Sequence, residues 1–168
     1  MALDVARIKK DFPILDIEVH GGKRLVYLDS ASSSQKPRAV LDAMDRYYET
    51  THANVHRGVY AIAEEATARY EAARARIGRF VNAHSEREIL FSKNVTESMN
   101  LVTQSWGRAN LRAGDVVLLT HMEQHANIVP WLMLKEQLGI ELRYVGLTDD
   151  GQLDLSNLDQ LLDGAKAF

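Results

Sequence analysis

Short apolar stretches alternate with helical patterns between residues 88 and 162, and this alternation constrains the fold more than any other feature. Strands are predicted at residues 88–91, 115–120 and 141–145, and helices at residues 96–106, 128–138 and 156–162. Short joints between successive strands and helices are typical of right-handed crossover units. The second half of the chain therefore predicts an α/β fold, with a mostly parallel sheet and flanking helices.

The first half of the chain is predicted to be mainly helical. Helices are predicted at residues 5–12, 37–51 and 59–81, with a short strand at 25–28. Asp4 is expected to cap the first helix, since aspartate is a preferred N-cap residue. The alanine-rich composition of the third helix favours helix formation strongly.

The last residues, 164–168, lie where the next strand of the alternating pattern is expected. We therefore expect the chain to end on a helix, before that strand. One flank of the sheet would then expose unpaired backbone groups.

Composition and charge exclude several classes of protein. The formal net charge of -3 and the lack of long lysine or arginine runs give no attraction to nucleic acid. No apolar stretch is long enough to cross a bilayer. The N-terminus lacks the apolar core of a secretion signal, so a cytoplasmic location is expected.

The absence of cysteine excludes disulfides, thiolate metal sites and a cysteine nucleophile within these 168 residues. The six histidines show no compact ligand spacing, so no metal site is predicted. Glycine-rich phosphate loops and the GxSxG nucleophile elbow are also absent, which leaves nucleotide binding and Ser-His-Asp hydrolysis unsupported.

Two polar segments follow predicted strands and are expected at the same sheet edge, where ligands of open α/β sheets bind. In FSKNVTESMNL, residues 91–101, a helix is expected to begin at Thr96, whose hydroxyl and free N–H groups suit either a phosphate or an ordinary N-cap. In THMEQHANIVPW, residues 120–131, Glu123, Gln124 and His125 are expected to face that edge. A single histidine such as His125 is more often structural than functional.

Two earlier segments are also rich in polar groups. In YLDSASSSQKP, residues 27–37, Asp29 and the serines are typical of a turn. In HANVHRGVY, residues 52–60, His56 and Arg57 form a basic turn before a glycine. This turn is interpreted either as plain surface or as a contact for a carboxylate.

The segments YLDSASSSQKP, HANVHRGVY, FSKNVTESMNLVTQSWG and MEQHANIVPW, in this order and spacing, resemble the SUF-type cysteine desulfurases and selenocysteine lyases. That family lies in the class V aminotransferase group of the fold type I PLP enzymes. The resemblance implies an N-terminal helical arm at residues 1–20 and a truncated N-terminal portion of the PLP-binding large domain at residues 21–168. It also implies PLP-dependent removal of sulfur or selenium from cysteine or selenocysteine, which leaves alanine and serves iron-sulfur cluster assembly.

The resemblance carries over to cofactor-binding residues. Thr96 matches the threonine that contacts the PLP phosphate, and Asn94 and Val95 lie in the same turn. Gln124 matches the histidine that stacks on the pyridine ring and takes part in proton transfer, while His125 matches the histidine after it. A glutamine amide does not titrate near neutral pH, so Gln124 is expected to lack the acid–base role.

The resemblance also implies substrate-pocket residues. Ala31 and Ser32 match the loop that lines the pocket. His56 and Arg57 match a segment near the substrate end of the site, close to the dimer interface.

The resemblance places the Schiff-base lysine, the pyridinium aspartate, the substrate-carboxylate arginine and the persulfide cysteine further along the family's chain, and Lys166 lies too early to be that lysine. No catalytic residue is therefore predicted here. PLP is expected for the full-length family member, with weak or absent binding by this chain alone.

The expected partners are a small-molecule substrate, a second copy in a homodimer of the full-length form, and a sulfur-acceptor protein. Neither nucleic acid nor a membrane is expected. Two alternatives stay open at this point. One is a non-catalytic interaction module that pairs with a full desulfurase. The other is part of a different class V PLP enzyme, an epimerase or an aminotransferase.

Overall fold

The computed structural model describes residues 3–167, which form two compact units that divide between Ile89 and Leu90. Each unit is described by itself below. The predicted division into an arm at residues 1–20 and a large-domain portion at 21–168 stays a prediction.

The first unit contains three α-helices and a two-stranded antiparallel ribbon. Its elements are α1 (Val5–Lys9), a 3-10 helix (Pro13–Asp16), β1 (Glu18–Val19), β2 (Lys23–Arg24), α2 (Arg38–Thr50), α3 (Ala61–Phe80) and a 3-10 helix (Glu86–Glu88). Asp4 caps α1 as predicted, since its carboxylate accepts a hydrogen bond from the N–H of Arg7 at 3.0 Å. The predictions of α2 and α3 are confirmed to within two residues at each end.

The strand predicted at residues 25–28 is wrong. These residues are not paired in a sheet, and Val26 and Leu28 are 76% and 90% exposed. The antiparallel pair forms earlier instead, because Gly21 and Gly22 adopt the positive φ angles of 81° and 88° that reverse the chain between β1 and β2. A short apolar run alone does not make a strand without a neighbour to pair with.

The second unit alternates helices and strands. Its elements are α4 (Val95–Val102), a π-helical turn (Thr103–Gly107), α5 (Arg108–Asn110), β3 (Val116–Thr120), a 3-10 helix (His125–Asn127), α6 (Val129–Leu138), β4 (Glu141–Val145), α7 (Leu158–Leu162) and β5 (Ala165–Ala167). The sheet has the order β4-β3-β5, and both pairings are parallel. The predicted α/β class with a mostly parallel sheet is confirmed.

The central strand β3 organises the core of this unit. Four of its five residues are buried, as expected for a strand covered on both faces. The residues of the buried apolar cluster are Leu111, Val117, Leu119, Trp131, Leu134 and Ile140. α6 ends at Gly139, which takes the left-handed conformation with φ of 73°.

Three predictions for the second half need correction. Residues 88–91 are not a strand, and Leu90 is 73% exposed, because no strand of the described residues lies beside them. The helix predicted to end near residue 106 continues through the π-helical turn into α5. The residue that precedes α7 is Asn157, whereas Ser156 was expected to cap it.

The expectation that the chain ends before the next strand is also wrong. Ala165–Ala167 forms β5, which pairs with β3 and places β3 between two neighbours. Gly164, with φ of 70°, makes the turn from α7 into this strand. Across residues 3–167, the helices are all too short or too polar to span a bilayer.

Candidate functional site

The turn at the start of α4 has an N-cap built from Asn94 and Glu97. The side-chain oxygen of Asn94 accepts the N–H of Glu97 at 2.9 Å, and the Glu97 carboxylate accepts the N–H of Lys93 at 2.7 Å. The Lys93 ammonium lies 3.5 Å from the same carboxylate. This reciprocal arrangement resembles a capping box. The helix therefore begins one residue before Thr96, and the cap is Asn94 rather than Thr96.

This capping leaves the first turn of α4 with uncommitted donors. The backbone N–H groups of Val95 and Thr96 and the hydroxyl of Thr96 have no hydrogen-bond partner within residues 3–167. All three residues 94–96 are exposed. Free N–H groups at the positive end of a helix dipole are a site where anions bind.

The loop after β3 is fixed by a chain of side-chain hydrogen bonds. The hydroxyl of Thr120 donates to Oε1 of Glu123 at 3.0 Å, and the amide of Asn127 donates to Oε2 at 2.9 Å. The oxygen of Asn127 then accepts the indole N–H of Trp131, a residue only 5% exposed, at 3.1 Å. The chain links the end of β3 to α6, so the intervening turn is held in one conformation.

Gln124 lies on this fixed turn. It precedes the 3-10 helix His125–Asn127, and its carbonyl accepts the N–H of Asn127 at 2.8 Å. The side chains of Gln124 and His125 are exposed and make no hydrogen bond to any described residue. A different imidazole, that of His121, stacks on Tyr144 with ring centroids 5.1 Å apart.

The 3-10 helix His125–Asn127, which follows Gln124, contacts the helix α4. A cavity of about 430 Å³ lies between the later part of α4, the strand β3 and the start of α6. Its polar lining comes from Thr120, Glu123 and Asn127, and its apolar lining includes Met99 and Trp131. The prediction that the two polar segments share one edge of the sheet stays a prediction, because residues 88–91 form no strand that could lead into the first of them.

The loop that holds Ala31 and Ser32 is organised by its backbone. The hydroxyl of Tyr27 donates to the carbonyl of Ser33 at 2.5 Å, and the carbonyl of Asp29 accepts the N–H groups of Ser32 and Ser33 at 3.2 and 3.0 Å. Ala31 and Ser32 lie exposed on the resulting turn. The turn predicted for this segment is present.

His56 is held firmly to α3. Its φ of 74° is left-handed, its N–H donates to the hydroxyl of Thr67 at 2.9 Å, and its Nε2 lies 2.5 Å from Oε1 of Glu71. Arg74 donates to the other oxygen of Glu71 at 3.1 Å. The hydrogen bond from His56, together with the charge of Arg74, lowers the pKa of Glu71. Arg57 is exposed and has no polar partner among residues 3–167.

Sequence reasoning predicted His56 but missed the residues that hold it. Thr67, Glu71 and Arg74 recur at intervals of four and three residues, so they lie on one face of the predicted helix. A polar stripe of this kind indicates that this face of the helix binds another polar segment, but the sequence does not show which one.

The predicted site residues divide between the two units. Ala31, Ser32, His56 and Arg57 belong to the first, whereas Asn94, Val95, Thr96 and Gln124 belong to the second. In the part of the chain that the structure describes, no group of three or more His, Cys, Asp or Glu side chains is placed to hold a metal ion.

Comparison with known proteins shows strong similarity over nearly the whole chain. Residues 26–167 match the aminotransferase class-V family. A probable cysteine desulfurase from Streptomyces coelicolor is 54% identical over 95% of this chain and 39% of its own length. A cysteine desulfurase from an Enterobacter species is 48% identical over 97% of this chain and 40% of its own length. The chain thus spans about two fifths of the length of these curated relatives.

Solved structures of cysteine desulfurases are also similar to this chain. The apo cysteine desulfurase from Thermococcus onnurineus superposes with a TM-score of 0.83 at 35% identity, over 99% of this chain and 39% of its own. The cysteine desulfurase CsdA from Escherichia coli superposes with a TM-score of 0.72 at 35% identity, over 96% of this chain and 39% of its own.

Proposed function

The chain belongs to the aminotransferase class-V family, and on that premise we propose that it forms part of a PLP-dependent cysteine desulfurase and supplies the turn that holds the PLP phosphate. The observation that supports this proposal most is at the start of α4, where the N–H groups of Val95 and Thr96 form no hydrogen bond within the described residues. Relatives named cysteine desulfurases at 45–54% identity favour this activity over an epimerase or an aminotransferase.

The residues of this turn fit a phosphate group. Two backbone N–H groups and the Thr96 hydroxyl supply donors, and the helix dipole supplies positive potential. The Glu97 carboxylate works against an anion here, but Lys93, at 3.5 Å, offsets its charge. When bound, PLP supplies an electron sink for the bonds of an amino acid.

Gln124 holds the position that the resemblance assigns to a proton-transferring histidine. Its amide can donate and accept hydrogen bonds, yet it cannot exchange a proton near neutral pH. In the proposed site, Gln124 would therefore contact the cofactor ring without moving a proton.

The substrate of the whole protein is L-cysteine or selenocysteine in this proposal. Ala31, Ser32, His56 and Arg57 are assigned to the substrate pocket. The expected partners are a second copy in a homodimer and a sulfur-acceptor protein, in the cytoplasm. Because the family's Schiff-base lysine and persulfide cysteine have no counterpart among these 168 residues, we expect this chain to release no sulfide from L-cysteine by itself.

The phosphate assignment is tested by titrating the isotope-labelled chain with pyridoxal 5′-phosphate and, separately, with pyridoxal. We expect the amide signals of Val95 and Thr96 to shift with the phosphorylated compound alone, and the Thr96→Val variant to bind it more weakly. Thr50→Val is the matched control, because its hydroxyl only donates to the carbonyl of Arg46 in its own helix, at 2.6 Å. Equal shifts with both compounds, or shifts elsewhere only, would contradict the assignment.

A further inference from the structure

We propose that Glu71 is a positioning residue that fixes His56 with its proton on Nε2 and leaves Nδ1 as a free acceptor. The residues that carry this inference lie in the first unit, between the turn at His56 and the helix α3 (Ala61–Phe80). The fixed tautomer does not depend on the cofactor or on the function proposed above. Only the use of Nδ1 toward an amino-acid substrate rests on that function.

The position of the ring proton follows from the chemistry of the contact. Oε1 of Glu71 lies 2.5 Å from Nε2 of His56. An ionised carboxylate only accepts hydrogen bonds, so Nε2 must carry the hydrogen. Glu71 is ionised at neutral pH, since its hydrogen bond with His56 lowers its pKa. Nδ1 has no hydrogen-bond partner within residues 3–167, so in the neutral ring its lone pair is available.

Arg74 keeps the Glu71 carboxylate from rotating. Its Nε donates to Oε2 at 3.1 Å, while Oε1 faces His56. Each carboxylate oxygen therefore has its own donor. The guanidinium of Arg74 lies 5.1 Å from the centre of the Tyr70 ring, and His56 meets that ring edge-on at 5.5 Å. The charged groups that face His56 from α3 are thus Glu71 and Arg74, which neutralise each other.

The backbone of His56 is fixed as firmly as its ring. Its left-handed φ of 74° is uncommon for a residue with a side chain, although histidine tolerates it better than most. The Thr67 hydroxyl donates to the carbonyl of Ala63 at 2.7 Å, so its lone pair is free to accept the N–H of His56 at 2.9 Å. Strained backbone that surrounding contacts hold in place is concentrated at functional sites.

Gly58 allows the turn to approach α3 this closely. A Cβ at position 58 would lie 2.2 Å from the Cβ of Ala63, a fully buried residue. Ala63, Thr67 and Glu71 recur every four residues and so form one face of α3. The turn is therefore attached to that face at three successive points.

The held ring stays accessible to a ligand. The side chain of His56 is 52% exposed and that of Glu71 is 43% exposed. An exposed imidazole with one committed nitrogen and one free acceptor suits a hydrogen bond from an ammonium or thiol group. An ordinary surface histidine would lack the carboxylate and exchange between tautomers.

The test records the imidazole nitrogen and hydrogen signals of His56 in the whole chain at pH 8. We expect a protonated Nε2, an unprotonated Nδ1 and a directly observable Nε2–H signal. Glu71→Ala should abolish the Nε2–H signal and mix the two tautomers. Glu65→Ala is the matched control, because Glu65 pairs with Arg69 on the same helix and does not contact His56.

Three results would overturn the inference: a proton on Nδ1 in the wild type, protons on both nitrogens at pH 8, or an unchanged spectrum in Glu71→Ala. Circular dichroism verifies that each variant folds. If Glu71→Ala does not fold, Glu71→Asp replaces it, since aspartate keeps the charge but withdraws the carboxylate by one methylene. The same loss of the Nε2–H signal is then expected, and its persistence contradicts the role of Glu71.

Discussion

The carboxylate of Glu123 accepts a hydrogen bond from the side-chain amide of Asn127 at 2.9 Å, across the turn that carries Gln124. The other oxygen of Glu123 accepts the Thr120 hydroxyl at 3.0 Å. One side chain therefore satisfies a donor from the end of β3 and a donor at the entry to α6. The turn that carries Gln124 is therefore held in place by the side chain of its neighbour Glu123.

We expect Glu123→Ala to lower the free energy of unfolding by about 1–3 kcal/mol, because it leaves two partly buried donors without an acceptor. Urea denaturation followed by tryptophan fluorescence measures this loss. Glu136→Ala serves as the control, since Glu136 is exposed and forms no ion pair among the described residues, and its effect should stay within about 0.5 kcal/mol. Equal effects of the two substitutions would contradict the structural role of Glu123.

Gly107 has little room for a side chain. A Cβ there would lie 2.8 Å from Cδ1 of Leu134, which is fully buried in the core of the second unit. Overpacking a filled core typically costs about 1–3 kcal/mol, so Gly107→Ala should lower the thermal midpoint clearly. Gly146→Ala is the control, because a Cβ at position 146 meets nothing within 4 Å. A normal midpoint for Gly107→Ala would show that Leu134 can move aside.

The sheet of the second unit was predictable because its signals are local. The apolar run Val116–Leu119, buried on both faces, and the glycine stop at Gly139 lie within single elements. The prediction of a strand at residues 88–91 was wrong because pairing between strands is not a local property. A strand needs a neighbour, and sequence propensity carries no information about one. The α/β fold implied by the family resemblance is confirmed by a TM-score of 0.83 to a cysteine desulfurase.

The candidate site was predictable only in part. Gln124 follows the end of β3, so its location near the carboxyl end of that strand could be inferred from the order of strands and helices, whereas residues 94–96 could be placed only at the start of a helix. The contact of His56 with Glu71 joins residues 15 positions apart through a left-handed turn. No local pattern specifies that pairing, which is a product of tertiary packing.

Glu71 gives the chain a defined pH dependence. Its pKa is lowered by its bond to His56 and by Arg74, so it stabilises the folded state above the pKa it has when unfolded. That contribution is lost as the pH falls through the lowered folded-state value. We therefore expect the stability difference between wild type and Glu71→Gln to be largest near neutral pH and to shrink below about pH 4.5. Denaturant titrations at a series of pH values measure it.

Glu65→Gln is the control for this experiment. Glu65 also pairs with an arginine on α3, but it does not contact a histidine. Its pH profile should follow that of the wild type. A difference for Glu71→Gln that stays constant down to pH 3 would mean that the carboxylate is not preferentially ionised in the folded state.

The last prediction concerns Gln124, in a protein completed with the C-terminal part of a close relative. We expect Gln124→His to raise turnover of L-cysteine more than it changes the retention of PLP. Packing of a flat side chain against a ring is worth about 1 kcal/mol, and an amide supplies part of it. Proton transfer by a positioned group contributes on the order of 10²–10⁴-fold, and an amide supplies none of it.

The turn geometry makes a matched control available. Met122 lies two residues earlier on the same turn and is 59% exposed, so Met122→His adds an imidazole without placing it at position 124. We expect Met122→His to leave turnover unchanged, because the hydrogen bonds of Glu123 and Asn127 fix which side chain each position presents. Single-turnover measurements with L-cysteine separate the rate from cofactor binding. If Gln124→His and its parent turned over equally fast, position 124 would orient the ring without moving a proton in this branch of the family.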